Sequence, residues 1–385
     1  MKNNRTFLEK LLDGAEVEWK PLGEVTAYEQ PTKYLVSSTV YSDEFSTPVL
    51  TAGKTFILGY TDEEEGIYFA SKSPVIIFDD FTTANKWVDF DFKAKSSAMK
   101  MITSKDENIT LLKYIYYWLN TLPNSQLDSD HKRQWISNYA NKLIPIPPLS
   151  VQTEIVRILD TLTVLTSELT SELILRQKQY EYYREKLLSF DSLEQLNSGG
   201  GKKKLIDVAI YAKSRISTDK LDKENYIGVE NLLQNKLGKT SSNYVPTEGS
   251  FIEYLPDDIL IGNIRPYLRK IWLADKTGGT NGDVLVIRLT DENIIPRYLY
   301  HILANEHFFE YNVKYSKGAK MPRGDKTAIL QYEFDVPPLE EQQRIVSILD
   351  KFETLTNSIT EGLPLAIEQS QKRYEYYRKL LLNFS

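Results

Sequence analysis

PPLSVQTEIVRILD, residues 147–160, returns as PPLEEQQRIVSILD at residues 337–350, with nine of fourteen positions identical at an offset of 190. Further on, QKQYEYYREKLLSF (177–190) returns as QKRYEYYRKLLLNF (371–384), with ten of fourteen identical at an offset of 194. Each copy opens on a Pro-Pro stop and closes on the same Tyr-rich segment. Between them, Ile155, Leu159, Leu162, Leu165, Leu169, Leu173, Tyr180, Tyr183 and Leu187 recur at gaps that suit one helical face. Ile345, Leu349, Phe352, Leu355, Ile359, Leu363, Tyr374, Tyr377 and Leu381 repeat the stripe in the second copy. Forty helical residues make a rod of ~60 Å. So long a stripe needs a partner, and the twin helix supplies one. Two unrelated core helices would not share two identity blocks in the same order. Gly362 and Pro364 predict a break in the second copy, with Pro364 opening the restarted helix.

Working outward, the helices occupy 147–190 and 337–385. They separate two mixed α/β segments, 1–146 and 205–336, and DSLEQLNSGGG marks a linker within 191–204. In the first segment the pattern predicts a short helix before residue 17, strands at 22–25, 47–51, 55–59 and 74–78, and a helix near 109–120. In the second it predicts strands at 225–229, 258–262, 270–274 and 283–289, and a helix over 296–311. LIDV (205–208) echoes LGEV (22–25), whereas TPVLTAGKTFILGYTDEEEG (47–66) has no counterpart in the second segment. The fold class expected is α+β: two mixed domains and two long helices packed as an antiparallel coiled coil, a pseudo-twofold internal repeat. Shared scaffolding with different contents suggests two modules doing one kind of job on different targets.

The 385 residues are 41% hydrophobic, enough for two domains plus the helices. No cysteine is present, which excludes disulfides and Cys-ligated metal, and the three histidines lack metal-pair spacing. With no signal peptide and no run of membrane-spanning length, a cytoplasmic protein is expected. The net charge of −6 argues mildly against a nucleic-acid binder, but clustering of cations matters more than their sum.

Four clusters stand out. IGNIRPYLRK (261–270) follows a strand and offers Arg265, Tyr267, Arg269 and Lys270 to phosphates and base edges. KYSKGAKMPRGDK (314–326) sets five cations, among them Lys314, Lys317, Lys320 and Arg323, against one anion. The first segment offers Lys93, Lys95, Ser96, Ser97 and Lys100, and then Lys132 and Arg133. Each alone reads as a solvated face, but two per repeat unit point to DNA. A competing enzyme reading places a Mg²⁺-dependent nuclease at Asp79, Asp80, Asp91 and Lys93, paired acids plus Asp-x-Lys. A third reading is a coiled-coil assembly adaptor without specific DNA binding. TGGTNG (277–282) reads as a turn between strands.

IPIPPL…QTEIVRILD, DVPPLEEQQRIVSILD, YIGVENL (226–232) and IRPYL (264–268) together resemble the specificity subunits of type I restriction–modification systems, across nearly the whole chain. The tandem TSEL (166–169, 170–173) and the two YEYYR ends resemble the type IC subgroup in particular. The resemblance implies that the globular segments are target-recognition domains and the helices are spacers. It implies no catalysis and no cofactor in this chain. Partners would be double-stranded DNA, two methyltransferase subunits carrying S-adenosylmethionine, and motor–nuclease subunits using ATP and Mg²⁺, with no membrane. No base-contacting residue carries over, so the DNA-contact candidates rest on charge and loop placement.

Overall fold

The computed structural model describes residues 6–53, 55–123, 133–188, 201–358 and 360–384. The chain divides into two compact units, Met1–Glu168 with Ile367–Ser385, and Leu169–Ala366. The first of the paired helices runs without interruption over Leu149–Leu188, 40 residues. The tandem TSEL lies across the point on it where the units divide.

In the first unit, a four-stranded antiparallel sheet is ordered Thr26–Glu29, Met99–Ser104, Val75–Asp79, Asn85–Val88. Val75–Asp79 is buried along its whole length, which explains its unbroken apolar run VIIF. The helix Leu112–Leu119 packs on this sheet through a core that includes Ile76, Phe78, Ile102, Ile115 and Trp118. A strap of Glu18–Pro21 paired with Leu143–Ile146 leads straight into the long helix. A second sheet, Ile57–Thr61, Thr47–Leu50 and Lys93–Ala94, joins an antiparallel and a parallel pair.

The second unit repeats the scaffold. Its antiparallel sheet runs Ala209–Tyr211, Val284–Leu289, Ile259–Gly262, Ile271–Leu273. Pro296–Leu303 is the covering helix, and Gly201–Lys204 pairs with Glu333–Val336 as the strap. The strap therefore takes back the end of the stretch read as linker; residues 191–200 of that stretch lie outside the described residues. The secondary sheet differs: Arg215–Ser217, Ser250–Tyr254, Gly278–Thr280, Tyr226–Ile227. Scaffold in common and contents apart is the pattern the sequence led us to expect.

Two local expectations are corrected. LGEV is a single helical turn, as is LIDV, each set between two strands. TGGTNG holds a strand, Gly278–Thr280, not only a turn. Its glycines are there for closeness: a Cβ on Gly278 would sit 2.1 Å from the Asn225 carbonyl oxygen.

The repeated motif has an atomic reason. Gln152 is fully buried; its Oε1 accepts from Leu111 N at 3.0 Å, and its Nε2 donates to the carbonyls of Ile109 and Pro147, both at 2.9 Å. Gln342 makes the same three bonds, to Ile295 N (2.8 Å), Asn293 O (2.9 Å) and Pro337 O (2.7 Å). Tyr114 and Tyr298 likewise donate to the carbonyls of Pro145 and Asp335. At the motif's terminal Asp, Asp160 accepts from Tyr117 and pairs with Lys113. Asp350 takes His301 (2.9 Å) and Arg297 (2.8 Å) at the matching positions.

Each unit also takes in the end of the other copy's helix. In the first unit, Val151, Ile155 and Leu159 share a core with Leu381 and Leu382, and Thr166 Oγ1 lies 2.8 Å from Ser370 Oγ. Rising numbers meet falling ones, so the packing is antiparallel. In the second unit, Tyr180 and Tyr183 stack on Phe352 while Leu187 joins the core of Ile345 and Leu349. Leu169, Leu355, Tyr374 and Tyr377 are half-buried. Leu165 departs from the expected stripe: it is 37% exposed, in a stretch where the helix meets its partner through hydroxyls instead.

The second copy breaks just before Gly362, as expected. Its helices are Leu339–Asn357, 19 residues, and Gly362–Leu382, 21 residues, together as long as the uninterrupted 40. The four additional residues fall in the interruption, and Pro364 sits in the first turn of the restarted helix rather than opening it. Gly362 holds φ +82°, with the Thr354 carbonyl 2.6 Å from any Cβ placed there. Only glycine fits that return.

Candidate nucleic-acid interface

The second unit brings two of the four clusters together. Asn263–Lys270 is the hairpin between the central strand Ile259–Gly262 and the edge strand Ile271–Leu273. The basic loop lies beside it: Arg265 N donates to Pro322 O at 2.7 Å, Gly324 N to Asn263 O at 3.1 Å, and Ile264 bridges to Arg323. Arg265 and Arg269 both hold left-handed φ, at 53° and 51°, around the short turn Pro266–Leu268. Non-glycine residues adopt that region at a cost of ~1–2 kcal/mol, and such strain clusters at functional loops.

The cations are not alike. Arg265 and Tyr267 are exposed, as are Lys314 and Lys320. Lys317 pairs with Asp325, whose carboxyl is held below its ordinary range by that lysine and by the backbone amides of Ala328 and Thr327. Arg323 pairs with Asp283 at 3.0 Å, and Arg269 with Glu306 at 2.7 Å. Lys270 turns inward to the Val229 carbonyl, and burial pushes its pKa down.

In the first unit the corresponding hairpin is Asp79–Ala84, and a backbone bond from Gln134 N to Asp80 O (2.8 Å) docks the neighbouring segment onto it. Arg133, exposed, therefore stands where Arg323 stands, again at an offset of 190. Lys132 lies outside the described residues.

Two sequence candidates are withdrawn. Lys93 is 3% exposed, bonded to Glu63 (2.8 Å) and to the Glu65 carbonyl. Lys100 is 1% exposed, 3.7 Å from Asp80 and over the Tyr28 ring. Neither reaches solvent, because both belong to strands whose other faces are core. Lys95 and Ser97 remain exposed, with Lys95 over the Tyr41 ring; Ser96 accepts from Ala98 N.

The nuclease arrangement does not form. Asp79 caps its own hairpin, Asp80 accepts from Trp135 N, Asp91 accepts from Ser71 N, and Lys93 is taken by Glu63. Among the described residues, the group spaced to hold a metal is His301, Asp350 and Glu353. There the Arg297 guanidinium already bridges both carboxylates at 2.8 Å, so the place of a cation is filled.

Each unit thus carries one hairpin flanked by an arginine. The family model described as "Type I restriction modification DNA specificity domain" matches residues 15–176 and again 197–369. The chain belongs to the type I restriction–modification specificity family. It is 49% identical to the EcoR124I/EcoR124II specificity subunit of Escherichia coli over 98% of this chain and 97% of that one. It is 38% identical to a putative type I restriction enzyme specificity subunit of Haemophilus influenzae over the full length of both. The crystal structure of the S subunit from M. genitalium shares the fold, with a TM-score of 0.62 at 15% identity over 97% of this chain and 98% of that one. Specificity subunits are non-catalytic, which removes the nuclease reading, and a DNA specificity domain matched in both halves of the chain removes the adaptor reading. No helix among the described residues is long and apolar enough to cross a membrane.

Proposed function

We propose that each unit reads one half of a bipartite, gapped DNA target through its hairpin and the adjoining arginine. Arg265, Tyr267, Lys314, Lys320 and Arg323 serve the second half-site, with Arg269, Lys270 and Lys317 bracing the loops behind them. Lys95, Ser96, Ser97, Lys132 and Arg133 serve the first. The recurrence of one hairpin-plus-arginine construction in two otherwise different domains supports this reading. Exposed cations position the backbone, and a guanidinium on a strained, fixed loop suits base edges.

The repeated helices then set the unread gap, and they offer a platform for two methyltransferase subunits and the motor–nuclease subunits. S-adenosylmethionine, ATP and Mg²⁺ belong to those partners, and the assembly works in the cytoplasm. Mapping methylated adenine in a host carrying the gene tests the proposal. A gapped, asymmetric motif that disappears on deletion is expected; its persistence would refute the proposal.

A further inference from the structure

We infer that Phe81 is the apolar reader of the first half-site, seated against the 5-methyl group of a thymine. The inference rests on the reading that each unit recognises one half-site.

Phe81 lies on the hairpin that corresponds to the Arg265–Tyr267 loop, one residue past the point where the two hairpins are equivalent. Asp80 and Asn263 are equivalent: Asp80 N donates to Ala98 O and Asn263 N to Asp283 O, while their carbonyls accept from Gln134 N and Gly324 N. Asn263 leads into the Arg265–Tyr267 loop, and Asp80 leads into Phe81. The two acids beside it, which made this stretch look catalytic, are turned inward. Asp79 is 7% exposed and accepts from Phe81 N (2.9 Å), Thr82 N (3.3 Å) and Thr82 Oγ1 (2.7 Å). Asp80 is 1% exposed and is bound to Trp135 N and Lys100. Thr83 holds φ +62°, with its amide on the Asp79 carbonyl.

The tip is thus a fixed loop with its charges neutralised inside, displaying a ring that is 39% exposed next to Asp80, on whose carbonyl the residue after Arg133 docks. Scattered apolar residues on a surface need no explanation. This one is held out by four hydrogen bonds to Asp79 and a left-handed residue, on the hairpin whose sister in the second unit displays Arg265 and Tyr267. The Phe81 side chain has no donor or acceptor, so what it can read is apolar. An aromatic ring suits the thymine methyl in the major groove.

The test uses the chain assembled with its methyltransferase subunits and duplexes carrying the mapped target. Phe81→Ala should weaken binding about fourfold or more, the effect of one buried methyl group, while Phe81→Leu should keep most of it. Deoxyuridine in place of one thymine of the first half-site should weaken the wild type equally, and Phe81→Ala should lose nothing further on that duplex. Additive losses, or a Phe81→Ala protein that binds both duplexes as the wild type does, would overturn the assignment. Arg265→Ala serves as control. If its loss stays with the second half-site while Phe81→Ala changes nothing, Phe81 is wrong and the half-site reading stands; if its loss spreads over both half-sites, the half-site reading itself fails.

Discussion

Replacing Gln342 by Leu removes three hydrogen bonds but little volume. Its side chain is fully buried, so Ile295 N–H and the carbonyls of Asn293 and Pro337 would be left without their partner. A lost bond of this kind costs about 1 kcal/mol when water can replace it, and stranding the partner costs about 1–3 kcal/mol. Three together make ~3–5 kcal/mol, a large share of the ~5–15 kcal/mol that holds a typical domain. With a urea slope of ~2 kcal/mol/M, the midpoint should fall by about 1.5–2.5 M. The fluorescence of Trp272 reports it, since the other four tryptophans lie in the first unit. Gln152→Leu should act correspondingly on the signal of Trp19, Trp87, Trp118 and Trp135. Gln342→Glu keeps the acceptor for Ile295 N–H but turns a carboxylate towards two carbonyls. Burial there raises its pKa, so the variant should recover stability as pH falls, when the protonated form can donate. A midpoint shift of Gln342→Leu below about 0.5 M would refute the view that this glutamine fastens the domain to its helix.

Arg265→Ala should cost about 1–3 kcal/mol on the second half-site alone, whereas Lys320→Ala should weaken all sequences alike and lower the salt slope by about 1; titrations at several salt concentrations separate them. Exchanging residues 18–146 for those of another specificity subunit should change one half of the methylated motif and leave the other, which sequencing of modified genomes will show. Burial holds the His301 pKa below its ordinary value despite the bond to Asp350, so the folded state resists protonation. The unfolded chain takes up the proton first, and stability of the second unit should therefore decline as pH falls below ~6.5, with a shallower slope in His301→Gln. One TSEL added to the helix Leu149–Leu188 turns the rest of the helix by about 40° beyond a full turn, near the ~35° of one base pair. The unread gap should widen by one pair with both half-sites intact, and an unchanged gap would count against the helix as ruler.

The helices were legible because a stripe and a duplicated motif survive in one dimension. Even the Gln of the motif could be singled out, though not its carbonyl and amide partners, two of which come from a loop some forty residues away. Charge was legible only as composition. Lys93 and Lys100 look like Lys95 in the sequence, yet strand alternation and pairing turn the first two into the core and leave the third in water. Asp79 and Asp80 suggested chemistry because, with Asp91 and Lys93, they mimic a paired-acid plus Asp-x-Lys pattern that is common by chance; here they shape a hairpin tip. Phe81 went unnoticed since a lone aromatic after a buried strand carries no signal until the sister hairpin is superposed on it. LGEV misled because four residues are too few to distinguish a helical turn from a strand.

The first unit is built from Met1–Glu168 together with Ile367–Ser385, while the second is one unbroken run. During synthesis the second can therefore close as soon as it is made. The first must wait about two hundred residues, ~10–40 s at ordinary elongation rates, with the seats of Leu381 and Leu382 empty. A message cut short after Ala366 but before Leu381 yields a protein with one finished reader and one that never closes. Such a product presents open apolar surface to proteases and chaperones, so the order of the chain favours disposal of a subunit that could read only half its target.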